Sequence, residues 1–272
     1  MNQRQQTKSG FEKLERIVNI PVTFTTVGTL SINSGRGDEV TGSLVMRYGG
    51  PEEDPVIPGS SVKGVVRSTV EAMLHQAEGD GNICVPMACA PKDRNRDPIL
   101  PPGRKKDCGE EVDRRRNPRG GLENACSACQ MFGNTGLKGK VNFHDAMPVS
   151  EGVATISRTH IALTRDTGTA AGQALMNMET VPNGVKFKGS VALVNPEPWM
   201  VGGIIHVLNL LPSLGVGAKK TSGYGQLQVE TGDPEFPLRP ENEPETAADY
   251  KKRCLEAWAE RAKVDVTSLT SN

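Results

Sequence analysis

The first regular pattern along the chain is an alternation of apolar and polar positions over 17–30. Val and Ile alternate there with Asn and Thr, which is the period of a half-buried β-strand. Strand patterns return in GKVNFHDAMPVS, ATISRTHIALTR, VKFKGSVALVN and QLQVE, and TGSLVMRYGG is typical of a further short strand. The pattern therefore predicts a protein built largely on strands.

Two segments have the helical period of 3.6 residues instead. After Pro58, with Ser60 as the expected N-cap, five apolar residues share one helical face: Val62, Val65, Val66, Val70 and Met73. EPWMVGGIIHVLNLLPSLG predicts a second helix, weakened by Gly202 and Gly203. A short amphipathic helix is expected over 249–264. The order strand, helix, strands, helix, strand matches an α+β, ferredoxin-like core with large insertions.

Changes in composition divide the chain into five expected parts. An N-terminal tail (1–16) precedes the first part of the core (17–76). A cysteine-rich insertion (77–133) separates it from the second part of the core (134–232). The C-terminal part (233–272) is acidic and rich in Pro, and it holds the short helix.

Acidic and basic residues balance, with 32 Asp+Glu and 32 Lys+Arg, so the formal net charge is zero. This excludes a histone-like protein that holds nucleic acid by bulk charge. Charged residues make up 24% and hydrophobic residues 36%, which argues against a disordered chain. No apolar run is long enough to span a bilayer, and the first residues lack the apolar centre of a signal peptide. We therefore expect a cytoplasmic protein without a membrane partner.

The periodic pattern disappears between 80 and 125, where Pro and charged residues are dense. Five of the six cysteines lie in the insertion 77–133 that contains this stretch. Cys126 and Cys129 form a Cys-x-x-Cys pair, a spacing at which two thiolates bind one tetrahedral ion. Cys108 is a further candidate ligand, and Cys84 and Cys89 compete for the remaining position, with His75 as a weaker candidate. A structural zinc ion would keep such a loop ordered; unpaired thiols in a reducing cytoplasm are the alternative.

The turn Gly59-Ser60-Ser61 offers an anion site at the start of the first helix, because free backbone N–H groups and the positive end of the helix dipole meet there. Lys63 and Arg67 are four residues apart and are expected on one helix face. This pattern equally fits an ordinary capped helix with two solvated basic residues.

A glycine-rich loop over 215–225 is similar in kind. Its glycines permit close backbone approach, two lysines supply charge, and Tyr224 offers a ring for stacking. It does not have the spacing of a Walker loop. It indicates either a surface that follows a phosphate backbone or a turn before an edge strand.

Taken in order, IPGSSVKGVVR, a Cys-x-x-Cys-x-x-Phe-Gly element, RTHIALTRDTGTA, ETVPNGVKFKG and LGVGAKKTSGYG resemble the RAMP superfamily. The repeated backbone subunit of type III CRISPR effector complexes is the most similar member, and the resemblance covers about 17–230. It implies a modified RRM-like palm that assembles along a guide RNA. It also implies a β-hairpin thumb, here about 165–182, with Met176 and Met178 as its apolar wedge.

The resemblance further implies which residues touch RNA. Guide phosphates are expected at the start of the first helix (Ser60, Ser61, Lys63 and Arg67) and at the glycine-rich loop (Gly217, Lys219, Lys220, Thr221, Ser222 and Tyr224). Arg158, His160 and Arg165 lie near the thumb and are expected to touch RNA, although a strand histidine with an internal partner is a competing interpretation for His160. The implied partners are the guide RNA, complementary target RNA, neighbouring copies or paralogues of the subunit, and other type III subunits.

Active members of this family cut target RNA with an acidic residue in the loop after the first strand. In LSINSGRGDEVTG the matching residue is Asp38, with Glu39 as its neighbour. Such a carboxylate would hold Mg²⁺ or Mn²⁺. The resemblance therefore predicts a divalent-metal-dependent endoribonuclease.

Two alternatives remain open. One is a scaffold subunit that binds guide RNA without cutting. The other is a metal-independent, guide-processing endoribonuclease, for which His75, His144, His160 and His206 are too scattered along the sequence to provide strong support.

Overall fold

A computed structural model of the protein describes residues 10–34, 44–49, 53–86, 92–95, 99–112, 121–241, 243 and 245–270. Within these ranges the chain is mixed α/β with antiparallel strand pairing. The strands are β1 (Ile17–Thr26), β2 (Val141–Phe143), β3 (Met147–Pro148), β4 (Ile156–Leu163), β5 (Ala170–Thr180), β6 (Lys186–Val194), β7 (Leu227–Thr231) and β8 (Glu235–Leu238). The helices are α1 (Gly59–Glu78), α2 (Gly109–Val112), α3 (Ser127–Phe132), α4 (Pro198–Leu214), α5 (Ala247–Ala262) and α6 (Thr267–Thr270).

The main sheet has the strand order β2-β6-β1-β7, and β3 also pairs with β6 while β8 pairs with β1. The alternation predicted from the sequence gives β1 two different faces. Val18, Ile20, Val22 and Phe24 are buried, and the residues between them are half-buried. The buried face belongs to one apolar core with residues of α1 and α4.

Helix α1 buries the side of the helix predicted from the sequence, with Val62, Val66 and Val70 in the core. The predicted N-cap was wrong, because α1 already begins at Gly59 and Pro58 holds the cap position. A distant carboxylate replaces the local cap: Asp145 accepts a hydrogen bond from the Gly59 N–H at 2.6 Å. No serine is therefore needed at the cap.

The two glycines that were predicted to weaken α4 are explained by how the helix packs. Gly202 and Gly203 lie under Trp258 of α5, so closely that a Cβ atom at either position would meet its side chain. Trp258 donates from Nε1 to His206 Nδ1 at 2.8 Å, and burial lowers the pKa of His206, which keeps that nitrogen an acceptor. The two glycines thus give up helix propensity and let α5 pack tightly on α4.

Two regions extend beyond the main sheet: the cysteine-rich insertion and a hairpin formed by β4 and β5. The hairpin begins at Ile156, so the range predicted for it, 165–182, omitted its first strand. No helix within the described ranges is both long and apolar enough to cross a membrane.

Candidate functional site

Four cysteines of the insertion come together in the interior. The Sγ atoms of Cys84, Cys108, Cys126 and Cys129 all lie within 4.8 Å of one another, and all four residues are buried. Cys84 Sγ is 3.2 Å from Cys129 Sγ and 3.6 Å from Cys126 Sγ. Four thiolates around one tetrahedral zinc ion would be separated by about 3.8 Å, since each Zn–S bond is about 2.3 Å. The cluster therefore fits a metal ion such as zinc.

The neighbouring thiols of Cys108, Cys129 and Cys84 lower the pKa of the Cys126 thiol below its ordinary value, and a thiolate is the form that binds a metal. The sequence also offered Cys89 and His75 as candidate metal ligands. Cys89 lies outside the described residues, and the His75 Nε2 atom instead contacts the Gly103 carbonyl at 3.0 Å.

The start of α1 already holds a carboxylate of the protein. Asp145 accepts from the Gly59 N–H, and the Tyr48 hydroxyl also donates to it. Ser60 is exposed, and Ser61 and Lys63 are half-buried. The pKa of Lys63 lies below its usual value, first because of partial burial and second because of the nearby charge of Arg67.

Arg67 differs from Lys63 in what it contacts. Its Nε donates to Glu71 at 2.8 Å and its Nη1 to the Gly133 carbonyl at 3.1 Å. The guanidinium also lies over the Phe132 ring, 5.8 Å from the ring centroid. The side chain therefore faces the cysteine-rich insertion, which i, i+4 spacing within one helix could not reveal.

Three elements meet at residues 29–33, which we call the strip. Leu30 pairs with Val181 through reciprocal backbone hydrogen bonds, and the Ser31 hydroxyl donates to the Glu179 carbonyl, so the strip contacts the base of the hairpin. The Ala218 N–H donates to the Ser31 carbonyl at 2.8 Å, which adds the glycine-rich loop. The strip leads into 35–43, so Asp38 and Glu39 lie outside the described residues.

The glycine-rich loop approaches the Ser31 backbone closely, and this approach requires glycine at position 217. Its φ of +92° lies in a region that side chains disfavour, and a Cβ atom there would collide with the Ser31 carbonyl. Beyond it, Lys219 is left-handed with φ 52°. Lys220, Thr221 and Ser222 form an exposed 3₁₀ turn, so the loop presents one lysine and two hydroxyl groups to solvent.

Tyr224 points inward and is only 7% exposed. Its hydroxyl is 3.1 Å from His160 Nε2, and the two rings lie 5.5 Å apart between centroids. The expected stacking ring of the loop is therefore occupied by a contact with the hairpin. This is also the internal partner that the competing interpretation of His160 required.

A partly buried ion pair attaches the other face of the hairpin. The Glu179 carboxylate accepts hydrogen bonds from both terminal nitrogens of Arg47, from the Thr155 hydroxyl and from the Val45 N–H. Burial alone would raise the pKa of Glu179, but these donors lower it to about 2. The sequence pattern did not single out this pair, since Arg47 and Glu179 are far apart along the chain.

The hairpin itself is exposed over most of its length. Arg158 and Arg165 are exposed, the latter in the turn between the strands. Of the two methionines proposed as a wedge, Met178 is only 2% exposed and Met176 is 40% exposed, although both lie on the face of the hairpin that carries His160. Sequence reasoning missed further exposed apolar side chains of the hairpin: Ile156, Ile161, Leu163 and Leu175.

The four histidines each have a different polar contact. His75 contacts Gly103, His144 contacts Ser190, His160 contacts Tyr224, and His206 contacts Trp258. These contacts give no indication of a shared histidine-based centre among the described residues.

Comparison with known proteins gives a family for this arrangement. The model of the RAMP superfamily matches residues 32–228, which is more than half of the chain. No curated protein is similar enough to match. A chain in the cryo-EM structure of the Type III-B Cmr-beta bound to cognate target RNA is 18% identical with a TM-score of 0.49. That likeness covers 81% of this chain and 61% of the other, so this chain spans less than two thirds of the other's length. On the extent of the family match, the chain belongs to the RAMP superfamily.

Proposed function

We propose that this protein is a backbone subunit of a type III CRISPR effector complex that binds guide RNA and cleaves complementary target RNA at regular intervals. One observation carries the proposal: the strip contacts both the hairpin base and the glycine-rich loop and continues into the segment that holds Asp38. The acid-bearing segment therefore starts between the two elements expected to hold RNA. Membership of the RAMP superfamily supports the same function.

In this proposal the two core parts, 17–76 and 134–232, form a ferredoxin-like, RRM-like palm. The sheet order β2-β6-β1-β7, with α1 after β1 and α4 after β6, supports such a palm. The β4–β5 hairpin is the thumb. The insertion 77–133 is a zinc-binding part, and 233–272 is a C-terminal extension whose α5 packs on the palm.

Guide phosphates would be held by exposed and half-buried groups on two elements of the palm. Ser60, Ser61 and Lys63 provide hydroxyl groups and one charge at the start of α1. Lys219 and the exposed turn 220–222 provide charge and hydroxyl groups at the glycine-rich loop. Backbone contacts of this kind position a nucleic acid without reading its sequence, so base pairing with the guide would select the target, by analogy with other guided effectors.

The thumb would enter the guide–target duplex with its exposed side chains. Arg158 and Arg165 are available for phosphates, and Met176 is available as an apolar wedge together with Ile161 and Leu175. His160 and Tyr224 would act beneath them by fixing the base of the thumb on the glycine-rich loop.

Asp38 would bind a divalent ion, Mg²⁺ or Mn²⁺, with Glu39 beside it. Such an ion would make the attacking 2′-hydroxyl more acidic or offset the negative charge that develops on the phosphate. The strip and the Glu179–Arg47 pair would hold the two flanks of the segment that carries the acid. The subunit would work in a cytoplasmic ribonucleoprotein complex, with neighbouring copies or paralogues and other type III subunits.

We further propose that the ion held by the four cysteines is zinc and that its role is structural. Four buried thiols leave no open coordination position for a substrate.

The deciding experiment is Asp38→Ala in a reconstituted complex with a labelled target RNA. We expect unchanged target binding and loss of cleavage at every site, with at least a hundredfold lower single-turnover rate, because the metal ligand is gone. Glu256→Ala, an exposed acid on α5, is the matched control and should cut normally.

Each alternative gives a different result in the same assay. Cleavage at the wild-type rate by Asp38→Ala would exclude Asp38 as the catalytic acid. A wild-type complex that binds target and never cuts it would indicate the scaffold subunit. Cleavage of precursor RNA by the isolated subunit in EDTA would indicate the guide-processing enzyme.

A further inference from the structure

Helix α1 carries a buried acid between two arginines. Glu71 is only 8% exposed. Arg67 Nε donates to its Oε1 at 2.8 Å, and Arg104 Nη2 approaches its Oε2 at 3.4 Å. Buried acids are rare unless they are paired, and this one joins the core helix to the cysteine-rich insertion.

Each arginine also holds a chain segment that carries a candidate metal ligand. Arg104 donates from Nη2 to the Cys84 carbonyl at 2.7 Å and from Nε to the Ile83 carbonyl at 3.0 Å. Arg67 donates to the Gly133 carbonyl, and the Gly133 N–H closes α3 on the Cys129 carbonyl at 2.9 Å. The Glu71 carboxylate is therefore connected through Arg104 to the Cys84 segment and through Arg67 to the Cys129 segment. The sulfurs of these two cysteines are 3.2 Å apart.

The charges of these groups suit a thiolate-bound ion. Four thiolates around a divalent cation carry two net negative charges, and burying such a group is costly unless positive charge lies nearby. Arg67, Glu71 and Arg104 together contribute one net positive charge. The Nη2 atom of Arg67 is moreover buried and has no hydrogen-bond partner in the part of the chain that the structure describes.

We infer that Arg67, Glu71 and Arg104 are positioning residues for the metal centre. They hold the Cys84 and Cys129 segments at binding distance, offset part of the thiolate charge and fasten the centre to α1. This inference rests on the proposed zinc site. It assigns Arg67 to the metal centre rather than to guide phosphates.

The test is a zinc-affinity measurement on the full chain by competition with a chromophoric chelator. Residues that orient metal ligands typically change affinity 10- to 100-fold when mutated, and we expect losses of about that size for Glu71→Gln and Arg67→Gln. Arg104→Lys keeps the charge but lacks the rigid planar fork whose separate nitrogens reach the two carbonyls, and we expect about a tenfold loss. Arg94→Gln removes an exposed arginine of the same insertion and should leave affinity unchanged.

Replacing zinc with Co²⁺ adds a measurement, the visible absorption spectrum, that a general loss of stability would not change. The visible bands of a Co²⁺–thiolate centre report ligand geometry, so Glu71→Gln and Arg104→Lys should shift them, whereas Arg94→Gln should not. Zinc affinities within twofold of wild type in folded Arg104→Lys and Arg67→Gln would overturn the inference. If Glu71→Gln does not fold, these two variants still decide. A wild-type chain that binds no zinc would instead overturn the proposed zinc site itself.

Discussion

The cysteine-rich insertion and the β4–β5 hairpin both leave the main sheet, but they are held in different ways. In the described part of the insertion, regular structure is limited mainly to α2, α3 and one 3₁₀ turn. Its long-range contacts come from buried thiols, buried apolar side chains and arginine hydrogen bonds. The hairpin has a nearly continuous backbone ladder from Ile156 to Leu163, and its side chains are mostly exposed. The comparison teaches that the first region is held by buried side chains, among them four thiols that could bind a metal, and the second by backbone pairing and contacts at its base.

The largest expected effect comes from removing two metal ligands. Cys126→Ser combined with Cys129→Ser should abolish zinc binding and unfold the insertion. The loss of stability should be several kcal/mol, because metal-binding free energy contributes directly to folding in such sites. Hydrogen exchange should speed up in 121–133, while the hairpin ladder should keep its protection.

Cys254→Ser is the matched control. This cysteine is buried in α5, outside the cluster, so the variant should keep one zinc ion per chain. Equal loss of protection in the hairpin after the double substitution would show that the two regions are not held independently.

The sequence allowed prediction of the metal cluster but not of its attachments. The spacing of Cys126 and Cys129 is a local signal, and the structure adds Cys84 and Cys108 to the pair. Arg104 donates to the Cys84 carbonyl, which is a contact between distant segments that local spacing does not indicate. For the same reason Arg67 was assigned to RNA, since its position across from α3 and Glu71 is a tertiary property.

A smaller effect is expected from Glu179→Gln, which keeps the shape of the side chain and removes its charge. The variant weakens one of the contacts at the hairpin base and should destabilise the fold by about 2 kcal/mol, between the values for exposed and buried ion pairs. Hydrogen exchange at Val45 and over the lower hairpin should speed up, whereas zinc affinity should stay at the wild-type value.

The acid dependence of stability checks the same pair. The pKa of Glu179 is about 2 in the folded protein, against an ordinary value of 4.5, so between these values the unfolded chain binds the extra proton. The stabilisation is therefore complete above pH 4.5 and is lost as the pH falls towards 2. Unfolding titrations over this window should give a steeper loss for wild type than for Glu179→Gln, and parallel curves would contradict the assignment.

The hairpin was harder to read from the sequence than the palm. The strands β1 and β6 alternate because one face is buried, and this pattern identified them. The segment of β5, AAGQALMNMET, has little such alternation, so only β4 was recognised as a strand. Met178 lies near the base of the hairpin and is buried, whereas Met176, two residues further out on the same face, is 40% exposed; no local pattern indicates this difference.

The smallest effect should come from weakening the contact between Tyr224 and His160 at the hairpin base. Tyr224→Phe keeps the ring beside His160 and removes only the hydroxyl hydrogen bond, which is worth about 1 kcal/mol. Glu179 lies on the opposite face of the hairpin, so its ion pair with Arg47 should persist. We therefore expect faster hydrogen exchange over 158–162, with little change at Val45. Tyr48→Phe, which removes a hydroxyl bonded to Asp145, should leave the hairpin unchanged. If Tyr224→Phe instead accelerated exchange at Val45 as strongly as Glu179→Gln does, the two contacts would form one cooperative base, because loosening one face would then release the other.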